Sequence, residues 1–319
     1  MMTEAVPRTT LDPAKFRDPD RTANGQPRAA VTLGRLSTLW FNTGTLCNLT
    51  CTHCYIESSP ANDRLVYLTA AEVAAYLDEL DGGDWGTEEI GFTGGEPFMN
   101  PEFAAMLEDS LRRGYRGLVL TNAMRPMAKC AEALLELRRK YGARLTIRVS
   151  LDHYSQALHE TERGRRSWAP ALEGLRWLAG RGFQISVAGR TFWGEPDAKL
   201  RAGYGRLFAT HDIPLDSGDP AALVLFPEMD AESDVPEITE ACWGILDKRP
   251  EDIMCASSRM IVKRKGAARP TVLSCTLLPY DGQFELGGTL GEAARTVKLN
   301  HPHCAKFCVL GGGSCSAQS

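Results

Sequence analysis

The sequence has no uninterrupted apolar run approaching the roughly 18 residues of a membrane span. Its opening stretch, MMTEAVPRTTLDPAKFRDPDRTANGQPR, has no apolar core of the kind a secretory signal needs. Neither a spanning helix nor a signal is expected, and a cytoplasmic location follows by default. The formal charge of -4 leaves no basic excess, so neither nucleic acid nor an anionic membrane is an expected partner. No internal repeat is evident. Disulfides are not expected, because a reducing compartment keeps the ten cysteines as thiols or metal ligands. What remains is ordinary for a soluble globular chain, with 43% hydrophobic and 24% charged residues. A length of 319 residues suits one large domain and a smaller appendage.

The cysteines are grouped. Cys47, Cys51 and Cys54 lie within eight residues; Cys255, Cys275, Cys304, Cys308 and Cys315 lie near the other end; Cys130 and Cys242 stand apart. Such clustering favours two metal sites over scattered buried thiols. The first group, Cys47-Asn48-Leu49-Thr50-Cys51-Thr52-His53-Cys54-Tyr55, is spaced C-x3-C-x2-C with an aromatic after the third. A loop this short can turn three thiolates toward one point and hold three irons of a [4Fe–4S] cube. There is no fourth cysteine nearby, which leaves one iron open to a ligand and suggests a cluster that does chemistry. Ferredoxin runs bring their fourth ligand with them and are spaced differently. Zinc, the alternative, usually takes paired C-x2-C units or histidine partners. His53 is expected to be solvated.

The rest of the chain alternates strand and helix. Residues 1–34 read as an extended, partly ordered arm. Strands are expected at Leu36–Phe41, Glu89–Thr93, Gly117–Thr121, Arg144–Ser150, Phe183–Ala188 and Ala222–Phe226. Helices are expected at Ala70–Leu80, N-capped by Thr69 with Glu72 completing a capping box, and at Pro101–Arg113, Pro126–Tyr141, Trp168–Arg181 and Asp197–His211. This order indicates a parallel sheet with right-handed crossovers. The cysteine loop, Gly94–Pro97, Asn122, Ser150 with Asp152, and Arg190 then each follow the C-terminal end of a different strand, the face that carries active sites in barrel-like α/β folds. Cys130, inside a helix, is expected to be a buried small hydrophobe.

On these residues the chain resembles the radical S-adenosylmethionine (radical SAM) enzymes. The resemblance covers residues 35–226 and implies an α/β fold, a partial (β/α)6 barrel. It also implies that Cys47, Cys51 and Cys54 hold a [4Fe–4S] cluster whose open iron is chelated by SAM. Gly94, Gly95, Glu96 and Pro97 would hold the SAM amino group, Ser150 and Asp152 the ribose, and Arg190 the carboxylate. Asn122 would face the same pocket and Tyr55 would flank adenine. The implied reaction is reductive cleavage of SAM to a 5′-deoxyadenosyl radical that takes a hydrogen atom from substrate.

Residues 227–254 read as a linker with one short helix around 237–247. Residues 255–319 read as a small Cys-rich α+β extension, with strands at Ser258–Val262 and Thr271–Ser274 framed by Cys255 and Cys275. This part resembles the twitch or truncated SPASM extension of some radical SAM enzymes, which holds an auxiliary [4Fe–4S] cluster. Four ligands would come from Cys255, Cys275, Cys304, Cys308 and Cys315, with Cys242 a weaker candidate. A zinc site built with His301 and His303 is the alternative. A small-molecule substrate is the first reading, because the polar arm is short for a leader-binding domain. The same chemistry on a ribosomally made peptide, installing a thioether or C–C crosslink, is the second. A non-catalytic iron–sulfur or zinc protein is a third reading, from another class. An electron donor such as flavodoxin or ferredoxin is implied. His153, Tyr154, Arg190, Asp216 and Glu228 are candidates for a substrate-facing acid, base or radical donor.

Overall fold

A computed structural model describes residues 9–314. A two-residue strand, β1 (Ala30–Val31), precedes the six expected parallel strands: β2 (Thr38–Asn42), β3 (Glu89–Thr93), β4 (Arg116–Thr121), β5 (Leu145–Ser150), β6 (Gln184–Arg190) and β7 (Leu223–Phe226). They lie side by side in chain order, each parallel to the next. β2 and β3 are buried at every position, as parallel strands covered on both faces must be. Phe41 of β2 stacks on Phe92 of β3 with ring centroids 5.7 Å apart.

The crossovers carry the helices α1 (Ala70–Asp81), α2 (Phe103–Arg112), α3 (Arg125–Lys129), α4 (Ala131–Tyr141), α5 (Gln156–Arg163), α6 (Trp168–Gly180) and α7 (Asp197–Thr210). The Thr69–Glu72 capping box starts α1, which turns Val73, Tyr76, Leu77 and Leu80 into the core. Three expectations are corrected. The expected helix Pro126–Tyr141 is two helices joined at Cys130, which is half-buried at the joint instead of fully enclosed. Strand β6 runs on through Arg190, so that residue ends a strand and does not follow one. Helix α5 was not expected at all.

The C-terminal region continues the same sheet. After the short α8 (Cys242–Ile245), strand β8 (Ser258–Val262) pairs in parallel with β2, opposite Leu39 and Phe41. β9 (Thr271–Leu273) and β10 (Glu285–Gly287) follow antiparallel, giving the order β10-β9-β8-β2-β3-β4-β5-β6-β7. β10 and β7 are the two ends and do not pair, so the barrel is partial. The expected helix over 237–247 is reduced to the four residues of α8. The last elements are α9 (Leu290–Ala293), β11 (Val297–Lys298) and a helical turn over Cys304–Leu310.

The described part of the N-terminal arm is extended but tied down. β1 pairs with β11, and Arg28, fully buried, reaches Glu237 at 2.6 Å. Leu11 and Phe16 donate their backbone N–H groups to Glu232 and Glu237. Among the described residues, no helix is long and apolar enough to cross a membrane.

Candidate functional site

The loop after β2 is shaped by backbone before any side chain acts. Thr43 N–H donates to Thr93 O, Gly95 N–H to Gly44 O, and Glu96 N–H to Leu46 O, which stitches the ends of β2 and β3 together. This stitching explains the paired glycines. A Cβ on Gly95 would stand 2.2 Å from Leu46 O, and one on Gly94, whose φ is +136°, would stand 2.6 Å from Gly44 O. Their first service is thus to let two loops approach each other.

The loop opens on a cavity at the C-terminal ends of the parallel strands. Cys47, Cys51 and Cys54 all line it, with Tyr55, Gly94, Gly95, Asn122, Ser150, Asp152 and Arg190. With Phe226 at the end of β7, six successive strand ends meet at one space. Two of the expected contacts are elsewhere. Glu96 and Pro97 sit behind the wall. The Glu96 carboxylate, 1% exposed, accepts Thr121 Oγ1 (2.8 Å), Phe98 N–H (3.3 Å) and Asn122 N–H (2.9 Å). Its work in this structure is to fasten the turn to the end of β4. Burial pushes its pKa up to about 7, against those three donors.

The sulfurs have backbone support. Cys47 Sγ accepts Leu49 N–H at 3.4 Å and Cys54 Sγ accepts Ser58 N–H at 3.3 Å. Burial pushes the Cys47 thiol up to about 12 and also raises Cys51. Such thiols bind metal as thiolates, releasing their protons to solvent as the metal binds.

Helix α5, absent from the expectations, clamps this loop. Glu162 O accepts Thr52 N–H at 2.8 Å. The Glu162 carboxylate accepts His53 N–H at 2.8 Å and lies 2.8 Å from His53 Nδ1. His53 is exposed, as expected, but anchored. The next residue, Arg163, lines the cavity and makes a bidentate pair with Asp152 at 2.7 and 2.9 Å. Asp152 thus meets the cavity already paired. Glu162 and Arg163 are the site residues that sequence reasoning missed; the acidic–basic pair at the end of QALHETER was their only signal.

Arg190 is the opposite case. Its Nη1 donates to His53 O at 3.2 Å and stands 3.7 Å from Glu162, and its guanidinium lies 3.9 Å from the Phe192 ring centroid. Its Nε and Nη2 are buried without a partner. Burial lowers its pKa, an unfavourable position for a cation unless an anion joins it.

Three other candidates lie off the cavity wall. His153 is buried between Ser155 and Glu195, Tyr154 donates to Glu195 at 2.9 Å, and Asp216 is exposed in a turn. Glu228 is 3.7 Å from Lys306, beside the lining residue Met229.

The C-terminal cysteines converge too. Cys255 and Cys304 are buried and Cys275 is half-buried. Burial pushes the Cys304 thiol well up, with the Cys275 and Cys255 thiols adding to it. Cys308 is one helical turn beyond Cys304. Cys315 lies outside the described residues. Cys242 is drawn away to Thr239 at 3.4 Å. His301 and His303 stand with ring centroids 4.7 Å apart, and burial lowers both to about 4. Burial also lowers Arg259 to about 10, with the Cys255 thiol working against it. Among the described residues, no three His, Cys, Asp or Glu side chains are drawn in to the spacing of a single metal ion. Leu277 and Phe307, near Cys275 and Cys308 in the chain, line the first cavity.

Residues 41–199 match the model of the radical SAM superfamily, and the chain belongs to that superfamily. A 147-residue stretch is 31% identical to the antilisterial bacteriocin subtilosin biosynthesis protein AlbA of Bacillus subtilis (strain 168), covering 46% of this chain and 31% of that one. A 141-residue stretch is 26% identical to Fe-coproporphyrin III synthase of Methanosarcina barkeri (strain Fusaro / DSM 804), covering 44% and 33%. The matched stretch thus spans about a third of the length of these curated relatives. Streptococcus suis SuiB bound to its precursor peptide SuiA shares the fold with a TM-score of 0.57 and 13% identity, over 80% of this chain and 63% of that one. AdoMet-bound anSMEcpe does so at 0.59 and 15%, over 82% and 77%.

Members of this superfamily use a [4Fe–4S] cluster and SAM. The residues present fit both groups. Three thiols share one cavity, two of them with N–H support, and the same cavity holds a cation with two unpartnered N–H groups.

Proposed function

We propose that this chain is a radical SAM enzyme that modifies a ribosomally made peptide, with an auxiliary cluster on Cys255, Cys275, Cys304 and Cys308. The 31% identity to a bacteriocin biosynthesis protein carries the peptide reading. The SuiB–SuiA likeness in fold is compatible with it, though it speaks for the fold alone. When bound, the first cluster supplies the electron that cleaves SAM to methionine and a 5′-deoxyadenosyl radical.

The chain's own part is positioning and exclusion of water. Cys47, Cys51 and Cys54 hold the cluster, and the α5 clamp on Thr52 and His53 keeps the loop in register. The orphaned N–H groups of Arg190 suit the SAM carboxylate. Asn122 and Ser150 supply polar atoms toward the nucleoside. Phe226, Met229, Leu277 and Phe307 form an apolar wall that shields the reacting carbon. The auxiliary centre suits removal of an electron from the substrate radical.

The small-molecule reading draws on the second relative, at lower identity. Anaerobic reconstitution, SAM-cleavage assays, and mass spectrometry with a set of Cys-containing precursor peptides separate the two. Peptide-dependent product with altered mass supports the proposal. SAM cleavage that no peptide stimulates overturns the peptide reading. A Cys51→Ala variant still making 5′-deoxyadenosine at the parent rate overturns the cluster assignment.

A further inference from the structure

Three buried or partly buried arginines in this fold meet a carboxylate. Arg28 faces Glu237, Arg163 faces Asp152, and Arg190 has Glu162. Arg259, in the middle of β8 and 1% exposed, has none among the described residues. Its donors go to carbonyls alone: Nη1 to Cys255 O (2.6 Å) and Ser258 O (2.8 Å), Nε to Ala293 O (3.0 Å), and Nη2 to Arg295 O (3.1 Å). Carbonyl dipoles satisfy the N–H groups but leave a full positive charge in the interior, and a buried charge without a counter-charge is expensive.

The acidic neighbour is Cys255, four residues back and hydrogen-bonded through its own carbonyl. Cys255 lies in turn beside Cys304. As free thiols these groups are neutral and offer Arg259 nothing. A cube held by four thiolates is net anionic in both of its oxidation states, and bound there it would be the missing counter-charge.

We propose that Arg259 is the charge-compensating residue of the auxiliary centre, raising that cluster's reduction potential through a buried guanidinium that no carboxylate neutralises. The inference rests on the auxiliary-cluster reading of the preceding subsection. The direction follows from Coulomb's law in a poorly screened interior: a nearby positive charge favours the reduced, more negative cluster. Arg259 touches no substrate and acts by positioning charge.

The test uses the full chain, reconstituted anaerobically. Iron counting comes first: about eight irons per chain, four for each cube, supports two clusters. The Cys47→Ala/Cys51→Ala/Cys54→Ala background then isolates the auxiliary cluster for a redox titration followed by electron paramagnetic resonance. Arg259→Met, which removes the charge, is expected to shift the reduction equilibrium at least tenfold toward the oxidised form, about 59 mV lower for one electron. Arg259→Lys, which keeps the charge and loses the fork of hydrogen bonds, is expected to stay close to the parent. A Met variant with four irons and the parent midpoint overturns the proposal. So does loss of iron from both variants, which would mark Arg259 as a backbone staple. Iron lost from Met alone, with an unchanged apo melting curve, supports it. A triple-alanine background that binds no iron sinks the two-cluster reading itself, and the inference with it.

Discussion

Glu162 binds His53 twice, accepting its backbone N–H at 2.8 Å and standing 2.8 Å from its ring Nδ1. The carboxylate belongs to the last turn of α5, while His53 sits between the second and third cysteines of the loop. A helix far along the chain thus holds the spacing of two thiolates. Glu162→Ala is expected to accelerate iron loss to a chelator by roughly tenfold or more, the worth of a hydrogen bond to a charged group. Glu162→Gln, whose amide oxygen can still accept the His53 N–H, should recover part of that. An Ala variant that releases iron at the parent rate would remove the clamp from the argument.

Arg190 carries a buried charge with two unpartnered N–H groups. Arg190→Met should change the apo melting temperature little, because the lost Nη1 bond to His53 O and the Glu162 contact are offset by relief of a buried charge with two unpartnered N–H groups. SAM affinity should fall by roughly ten- to a hundredfold if those N–H groups take a charge-assisted pair with its carboxylate. Equilibrium dialysis with SAM reads the second effect, and unchanged affinity contradicts the assignment.

Gly95→Ala places a methyl 2.2 Å from Leu46 O, a backbone atom that cannot swing away. The expected cost is about 1–3 kcal/mol of stability from overpacking. Urea denaturation of the apo protein measures it. Parent stability would mean that the loop after β2 yields freely, contrary to the stitching described above.

His159 is fully buried on α5 with both ring nitrogens unpartnered, packed against Trp168 with ring centroids 5.4 Å apart. Burial lowers its pKa from the ordinary 6.5 to about 4. The folded state therefore holds the proton less tightly than the unfolded chain. Its contribution is present above about pH 6.5 and is lost as pH falls toward 4. At about 1.4 kcal/mol per pKa unit the loss approaches roughly 3 kcal/mol. His159→Leu should flatten this limb in urea titrations of the apo protein between pH 4 and 7. A variant as acid-sensitive as the parent would place the effect on other buried histidines.

Much of the site was legible before the fold. C-x3-C-x2-C, Gly94-Gly95 and the polar residues after strands needed only spacing and strand order to fall on one face. Helix α5 was not legible. QALHETER has few apolar residues, and Ser155 makes no side-chain cap bond, so neither an apolar run nor a cap announces it. It is helical because Glu162 and Arg163 find partners in the loop and in Asp152. Glu96 was legible as a carboxylate but not in its direction. A motif cannot say whether an oxygen faces a ligand or the neighbouring strand, and here Thr121 and Asn122 claim it. The arm looked loose because its composition is polar, yet Arg28 and β1 are held by residues more than 200 positions away.

The sequence by itself determined the grouping of three thiols in one loop and the parallel order of six strands, because short-range spacing and local periodicity settle both. The tertiary structure decided which charges are answered. It paired Asp152 with Arg163, left two buried nitrogens of Arg190 without a partner, and buried Arg259 beside Cys255 without a carboxylate. The reason is physical: the cost of a charge depends on what surrounds it in space, and those neighbours come from strands and helices far apart in the chain.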